Sequence, residues 1–211
     1  MQRQAFLNTV RTALGRAPGQ SVPAPPAPTL RSPEIAGRGE RVGLFKKNLE
    51  ALAGHVHIVA DEDAAKDQLL HLIGGRSTVA SNSPLLADCG FASVPRESLR
   101  AACATSDVGV TGADYALAAT GTLVMLSSAR EARMISLLPP VHIAVVHASA
   151  ILTNLDELFA TLPRPAEQTS SMVMITGPSR TADIEQILVR GVHGPGEIHV
   201  IVIEPAGEDL P

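Results

Sequence analysis

The chain has 211 residues, a formal net charge of −4, 45% hydrophobic residues and 18% charged residues. That length suits one α/β domain with an appendage and excludes a large multidomain enzyme, while the apolar share excludes wholesale disorder. Aromatics are only 2%, so neither aromatic stacking of bases nor a charge-driven nucleic-acid interface is expected.

Residues 3–14 place Phe6, Leu7, Val10 and Leu14 at helical spacing, and Gly15 stops the helix. Six of the sixteen prolines then fall between positions 17 and 33, and the PAPPAP run favours an extended tether. Residues 1–50 carry eight Lys/Arg against three Asp/Glu. The plainer reading is a solvated surface; the alternative is a docking arm for an acidic partner. The expected organisation is an N-terminal helix (1–16), a Pro-rich linker (17–36), an α/β body (37–205) and a tail (206–211).

In the body, Val42, Phe45, Leu49 and Leu52 mark a helix over 40–53, and HVHIVA (55–60) reads as a strand. Asp61 caps a helix to about Ile73. STVAS (77–81) is a strand, residues 83–88 and 95–103 are short helices, and a short strand is possible between them near Phe91 and Val94. Further strands are expected in 107–112, 122–128, 142–147, 171–176 and 197–204. Helices are expected over 130–138, 151–161 and 181–190. Alternation of this kind predicts an α/β fold with a mostly parallel sheet flanked by helices, and a ligand site at the loops after its strands.

Three loops carry the chemistry. After the strand ending near Val110, Gly112 permits close backbone approach, and Asp114 either caps the next turn or faces a ligand. Thr120-Gly121-Thr122 is either a tight turn or a loop whose hydroxyls and N–H groups take a carboxylate or phosphate. In ITGPSRTADIE, Gly177, Ser179, Arg180 and Thr181 precede an expected helix, whose free N–H groups would favour an anion beside the guanidinium. Asp183 and Glu185 are the competing partners for that helix end and for Arg180. His193, among three glycines in GVHGPG, is a candidate proton donor or a structural histidine.

Other chemistries find no pattern. The two cysteines, Cys89 and Cys103, cannot hold an iron–sulfur cluster or a four-cysteine zinc site alone, and they fit a reducing cytoplasmic compartment. HExxH, GxSxG, GxGxxG and the Walker spacing are all absent, so no metal, triad or dinucleotide site is expected and no nucleophile can be nominated. No apolar run is long enough for a membrane span.

The segments GVTGAD (109–114), ATGTLV (119–124), LPPVHI (138–143), ITGPSRTADIE (175–185) and GVHGP (191–195) together resemble the LUD-domain family over roughly 37–205. The resemblance implies a fold similar to the sugar-isomerase/CoA-transferase-like architecture. The family's short members act in oxidising L-lactate to pyruvate beside an iron–sulfur subunit and a second LUD-type subunit. An accessory subunit binding a small carboxylate or phosphate follows, with clusters on its partners. The resemblance assigns this chain neither an independent activity nor a cofactor, and the iron–sulfur clusters are expected on the partners. Many relatives place an acid before the Thr-Gly pair, where this chain has Ala119, which removes a carboxylate nucleophile from that position. The other readings are a stand-alone isomerase or transferase on a sugar phosphate or CoA thioester, and a non-catalytic interaction protein.

Overall fold

The computed structural model describes residues 3–17, 37–128, 132–182 and 188–205. The chain divides into two compact units, Met1–Leu30 and Arg31–Pro211. In the first, α1 spans Arg3–Ala13. The expected linker beyond residue 17 and the expected tail lie outside the described residues.

In the second unit, α2 (Arg38–Ala51) leads into β1 (His55–Val59), α3 (Glu62–Ile73) and β2 (Thr78–Ala80). A 3₁₀ turn (Pro84–Cys89) and α4 (Leu99–Thr105) precede β3 (Val108–Gly112), β4 (Tyr115–Leu117) and β5 (Thr122–Leu126). A second 3₁₀ turn (Arg133–Ser136) leads to β6 (Val141–His147), β7 (Ile151–Leu152), α5 (Leu155–Thr161) and α6 (Pro165–Gln168). The chain continues through β8 (Met172–Ile175), β9 (Arg180–Ala182), β10 (Leu188–Arg190) and β11 (Glu197–Ile203).

The main sheet has the order β1-β11-β6-β3-β2 and every pair is parallel. Its central strands are apolar runs because both faces are covered. On one face, Val42, Phe45 and Leu49 of α2 pack against Val146, Ile198 and Val200 together with Leu123 of β5. On the other, Ala65, Leu69 and Ile73 of α3 pack against Val110, Ile143 and Ile201. The ends of α3 follow from local chemistry: the Asp61 carboxylate accepts from the Ala64 N–H at 2.8 Å, and Gly74 closes the helix in the left-handed conformation.

The second sheet, of order β7-β4-β5-β8, was not foreseen as such. Its pairs β4–β5 and β5–β8 are antiparallel, and β4–β7 is parallel. Three expected helices are corrected. Residues 180–182 and 188–190 are strands that pair antiparallel, where one helix over 181–190 is expected. Within 130–138 the described part contains only the 3₁₀ turn, because Pro139 and Pro140 cut it short and it packs directly on β3. In 151–161 the first two residues join β4, and the helix starts at Leu155 after its N-cap Asn154, whose side chain accepts from the Glu157 N–H. No strand occurs near Phe91 and Val94.

Candidate functional site

The Thr-Gly-Thr turn joins β4 to β5 and packs on α2. Asn48 Nδ2 donates to the Ala118 carbonyl at 2.8 Å. Gly121 has φ +63°, and a Cβ there would lie 2.4 Å from the Leu49 nitrogen, so only glycine fits. The turn's hydroxyls are linked to each other and onward. Thr120 Oγ1 lies 2.7 Å from Thr122 Oγ1, which lies 2.8 Å from Thr176 Oγ1 at the end of β8. The antiparallel register of β5 and β8 makes this possible by setting Leu123 opposite Ile175.

The next residues turn sharply. Gly177 has φ +83° and passes over Leu52, whose Cβ would stand 3.0 Å from a side chain placed there. The Arg180 guanidinium donates to the Leu52 carbonyl, the C-cap of α2. This cation therefore sits at the negative end of α2, not at the positive end of a helix of its own. Ser179 ties this loop to the glycine loop: its N–H donates to the Pro195 carbonyl at 2.9 Å, and its Oγ accepts from the His193 N–H at 3.2 Å.

These segments border an open cavity of about 320 Å³. Thr176, Gly177, Ser179, Arg180 and His193 line it from one side, and Arg133 and Ser136 from the 3₁₀ turn line the other. No carboxylate is among its described lining residues. Two arginines, Arg133 and Arg180, and three hydroxyl residues, Ser136, Thr176 and Ser179, are among the lining residues. Thr176 and Gly177 place the cavity just after the carboxyl end of β8, and Pro195 and Ile198 place it beside the amino end of β11.

The structure separates the remaining nominated residues from this cavity. Gly112 ends β3 at its carboxyl end. Asp114 Oδ2 accepts from the Leu126 N–H at 2.7 Å, extending the β4–β5 pairing by one hydrogen bond. Asp114→Ala is expected to lower stability by about 1–2 kcal/mol, the cost of removing a charge-assisted bond, with anion affinity unchanged. Urea unfolding paired with calorimetric titration checks both halves; a loss of affinity would return Asp114 to the site. The Thr181 side chain, Asp183 and Glu185 lie outside the described residues.

Residues 85–203 match the LUD domain family. The chain belongs to the LUD domain family. The matched stretch contains Arg133, Ser136 and every nominated loop residue, whereas α2 with Asn48 and Leu52 precedes it. The LUD protein is 31% identical to "Lactate utilization protein C" of Anoxybacillus flavithermus, over 95% of this chain and 98% of that one. It is 29% identical to the protein of the same name from Halalkalibacterium halodurans, over 96% and 98%. Among solved structures, a DUF162 family protein from Deinococcus radiodurans superposes with a TM-score of 0.63, at 20% identity over 80% of this chain and 99% of that one. That likeness bears on the fold.

The LUD protein has a second polar cluster, whose residues are not among those lining the cavity. His57 Nε2 lies 3.1 Å from His199 Nδ1, His199 Nε2 lies 2.6 Å from Glu197 Oε1, and His55 stacks on His199. Burial lowers the pKa of His57, and the neighbouring His199 lowers it further. Among the described residues no group of three His, Cys, Asp or Glu is arranged to hold a metal. Cys89 and Cys103 are free thiols, and burial raises both pKa values. No helix among the described residues is long and apolar enough to cross a membrane.

Sequence reasoning missed Thr176, Arg133 and Ser136. Thr176 stands inside the ITGPSR run, but its hydroxyl matters only through the β5–β8 register. Arg133 was absorbed into an expected helix, and nothing local marks it as facing a cavity.

Proposed function

We propose that the chain is an accessory subunit of a cytoplasmic L-lactate-oxidising system, and that its 320 Å³ cavity holds a small carboxylate such as lactate or pyruvate. The observation that carries this reading is the convergence of Thr176, Ser179, Arg180 and His193 with Arg133 on one cavity free of described carboxylates. The names of the full-length relatives supply the pathway.

Arg180 and Arg133 supply charge, and Ser179 and Thr176 supply hydroxyls. The Thr120–Thr122 pair braces Thr176 from behind, and Gly177 lets the backbone close in. Gly112, Asp114 and Thr181 complete the nominated loops without a contact assigned to the ligand. Oxidation of lactate to pyruvate removes two electrons and two protons. The electrons pass to iron–sulfur and second LUD-type partner subunits and both protons to solvent, with His193 lining the cavity as the candidate acid–base group. Residues 37–205 form the working body, with fold kinship to sugar isomerases and CoA transferases. The helix in 1–16, tethered by 17–36, is the docking arm; its Phe6, Val10 and Leu14 are exposed, as a partner contact requires. The tail is 206–211.

Calorimetric titration with L-lactate and pyruvate tests the site. Arg180→Ala is expected to weaken binding at least about tenfold, the loss of one charge-assisted contact. Wild-type affinity in that variant would remove Arg180, and the proposed site with it.

A further inference from the structure

A larger cleft, of about 860 Å³, opens on the other side of Arg133. It lies at the carboxyl end of β2, where Ala80 passes into Ser81 and Asn82, and is bounded by Ser127 after β5 and by Ser170. Parallel α/β sheets bind ligands outside the carboxyl ends of their strands. None of the residues nominated from the sequence lines this cleft.

The lining has a definite chemistry. Arg96 and Arg133 enter from separate segments, the loop before α4 and the 3₁₀ turn. Ser81, Asn82, Ser127 and Ser170 add hydroxyl and amide groups, and Leu99 and Ile135 contribute an apolar wall. No carboxylate and no aromatic ring is among the described lining residues. The polar rim is held by the backbone: the Ser81 N–H donates to the Val110 carbonyl at 2.9 Å, and the Ser127 N–H to the Ser171 carbonyl at 2.8 Å.

We propose that this cleft binds a phosphate ester. Two guanidinium groups and a hydroxyl-rich rim match the oxygens of a phosphate, and the apolar wall receives an organic body. A three-carbon acid would fill little of such a volume, whereas a ligand of up to mononucleotide size fits it. The proposed selectivity rests on the phosphate group, which both arginines can pair with. A narrow gap of about 10 Å³, lined by Ser127, Arg133, Ser136 and Val173, separates the cleft from the small-anion cavity. Arg133 belongs to both, so occupancy on one side changes the charge available to the other.

The experiment is calorimetric titration of the full chain with adenosine 5′-monophosphate and glycerol 3-phosphate, against adenosine and glycerol. Both esters are expected to bind and both dephosphorylated partners to fail. Arg96→Ala and Arg133→Ala should each weaken the esters at least about tenfold, with Arg96→Lys restoring part of the loss. Arg96 is exposed, so its variants are expected to fold, which thermal melts confirm. Three results overturn the proposal: neither ester binding below about 10 mM, equal binding of the dephosphorylated forms, or wild-type ester affinity in both alanine variants. L-lactate titration into Arg96→Ala and Arg180→Ala keeps this site separate from the small-anion reading. Loss of lactate only with Arg180→Ala and of esters only with Arg96→Ala supports two sites. Loss of ester binding with Arg180→Ala alone overturns the cleft.

Discussion

Gly109→Ala is expected to lower the unfolding free energy by at least about 3 kcal/mol, in the upper range for overpacking a core. Gly109 is the second residue of β3, and within a strand glycine ordinarily weakens pairing and alanine would be the better residue. Here a Cβ would stand 1.9 Å from the Ile135 carbonyl oxygen and 3.0 Å from Pro139 Cγ. The obstacle is backbone, held between the strand below and two prolines behind, so no side-chain rotation relieves it. The 3₁₀ turn must lift off the sheet, and that turn carries Arg133. Binding at both cavities should therefore fall with stability. Gly43→Ala on the exposed face of α2 is the control: its Cβ would meet nothing within 4 Å, and it should gain roughly 0.5–1 kcal/mol from helix propensity. Urea unfolding of both variants decides the matter. A Gly109→Ala protein as stable as wild type would mean that the turn does not rest on β3.

This contact also explains which parts of the fold were legible in the sequence. IAVV within HIAVVH and VIVI within EIHVIVIE are continuous apolar runs, and they lie in strands buried on both faces. Asp61 and Gly74 bracket α3 by capping chemistry that any local reading detects. The errors fall where a local signal has two structural solutions. Ser179, Thr181 and the acids after them resemble a helix start, yet residues 180–182 find strand partners in 188–190. Arg133–Ser136 has helical residues, but the close approach to Gly109 and the two prolines allow only a single tight turn.

The site divides in the same way. Residues close in sequence, such as Gly177, Ser179 and Arg180, could be nominated because one loop carries all three. Their partners could not. Leu52 receives Arg180 because α2 ends beside that loop, and Thr122 reaches Thr176 through the pairing of β5 with β8. Asp114 gives the converse lesson: an acid next to a glycine after a strand looks like a ligand group, yet the Leu126 amide accounts for it.

Stability is expected to fall by about 2 kcal/mol between pH 7.5 and pH 5 through one buried histidine, His142 on β6. His142 is fully buried, with Gly109 and Ile198 as its neighbours across the sheet. Its Nε2 lies 2.8 Å from Thr111 Oγ1, and its Nδ1 has no hydrogen-bond partner. Burial pushes its pKa down from 6.5 to about 4. The unfolded chain therefore binds a proton that the native chain refuses. The neutral ring's contribution is complete above pH 6.5 and is lost as pH falls from there toward about 4. His57 and His199 are also lowered, mainly by burial, and add to the slope in the same direction. Glu197 and Asp107, both lowered by hydrogen bonds, lose their contributions only in the more acidic carboxylate range. A double variant isolates the central ring: Thr111→Val with His142→Leu removes both partners, so neither hydroxyl nor imidazole is left buried and unpaired. Urea unfolding at the two pH values should show its pH dependence reduced by about 2 kcal/mol relative to wild type. An unchanged dependence would assign the slope to the His57–His199 pair, and a His142 imidazole titrating near its ordinary value by NMR would show the ring to be hydrated.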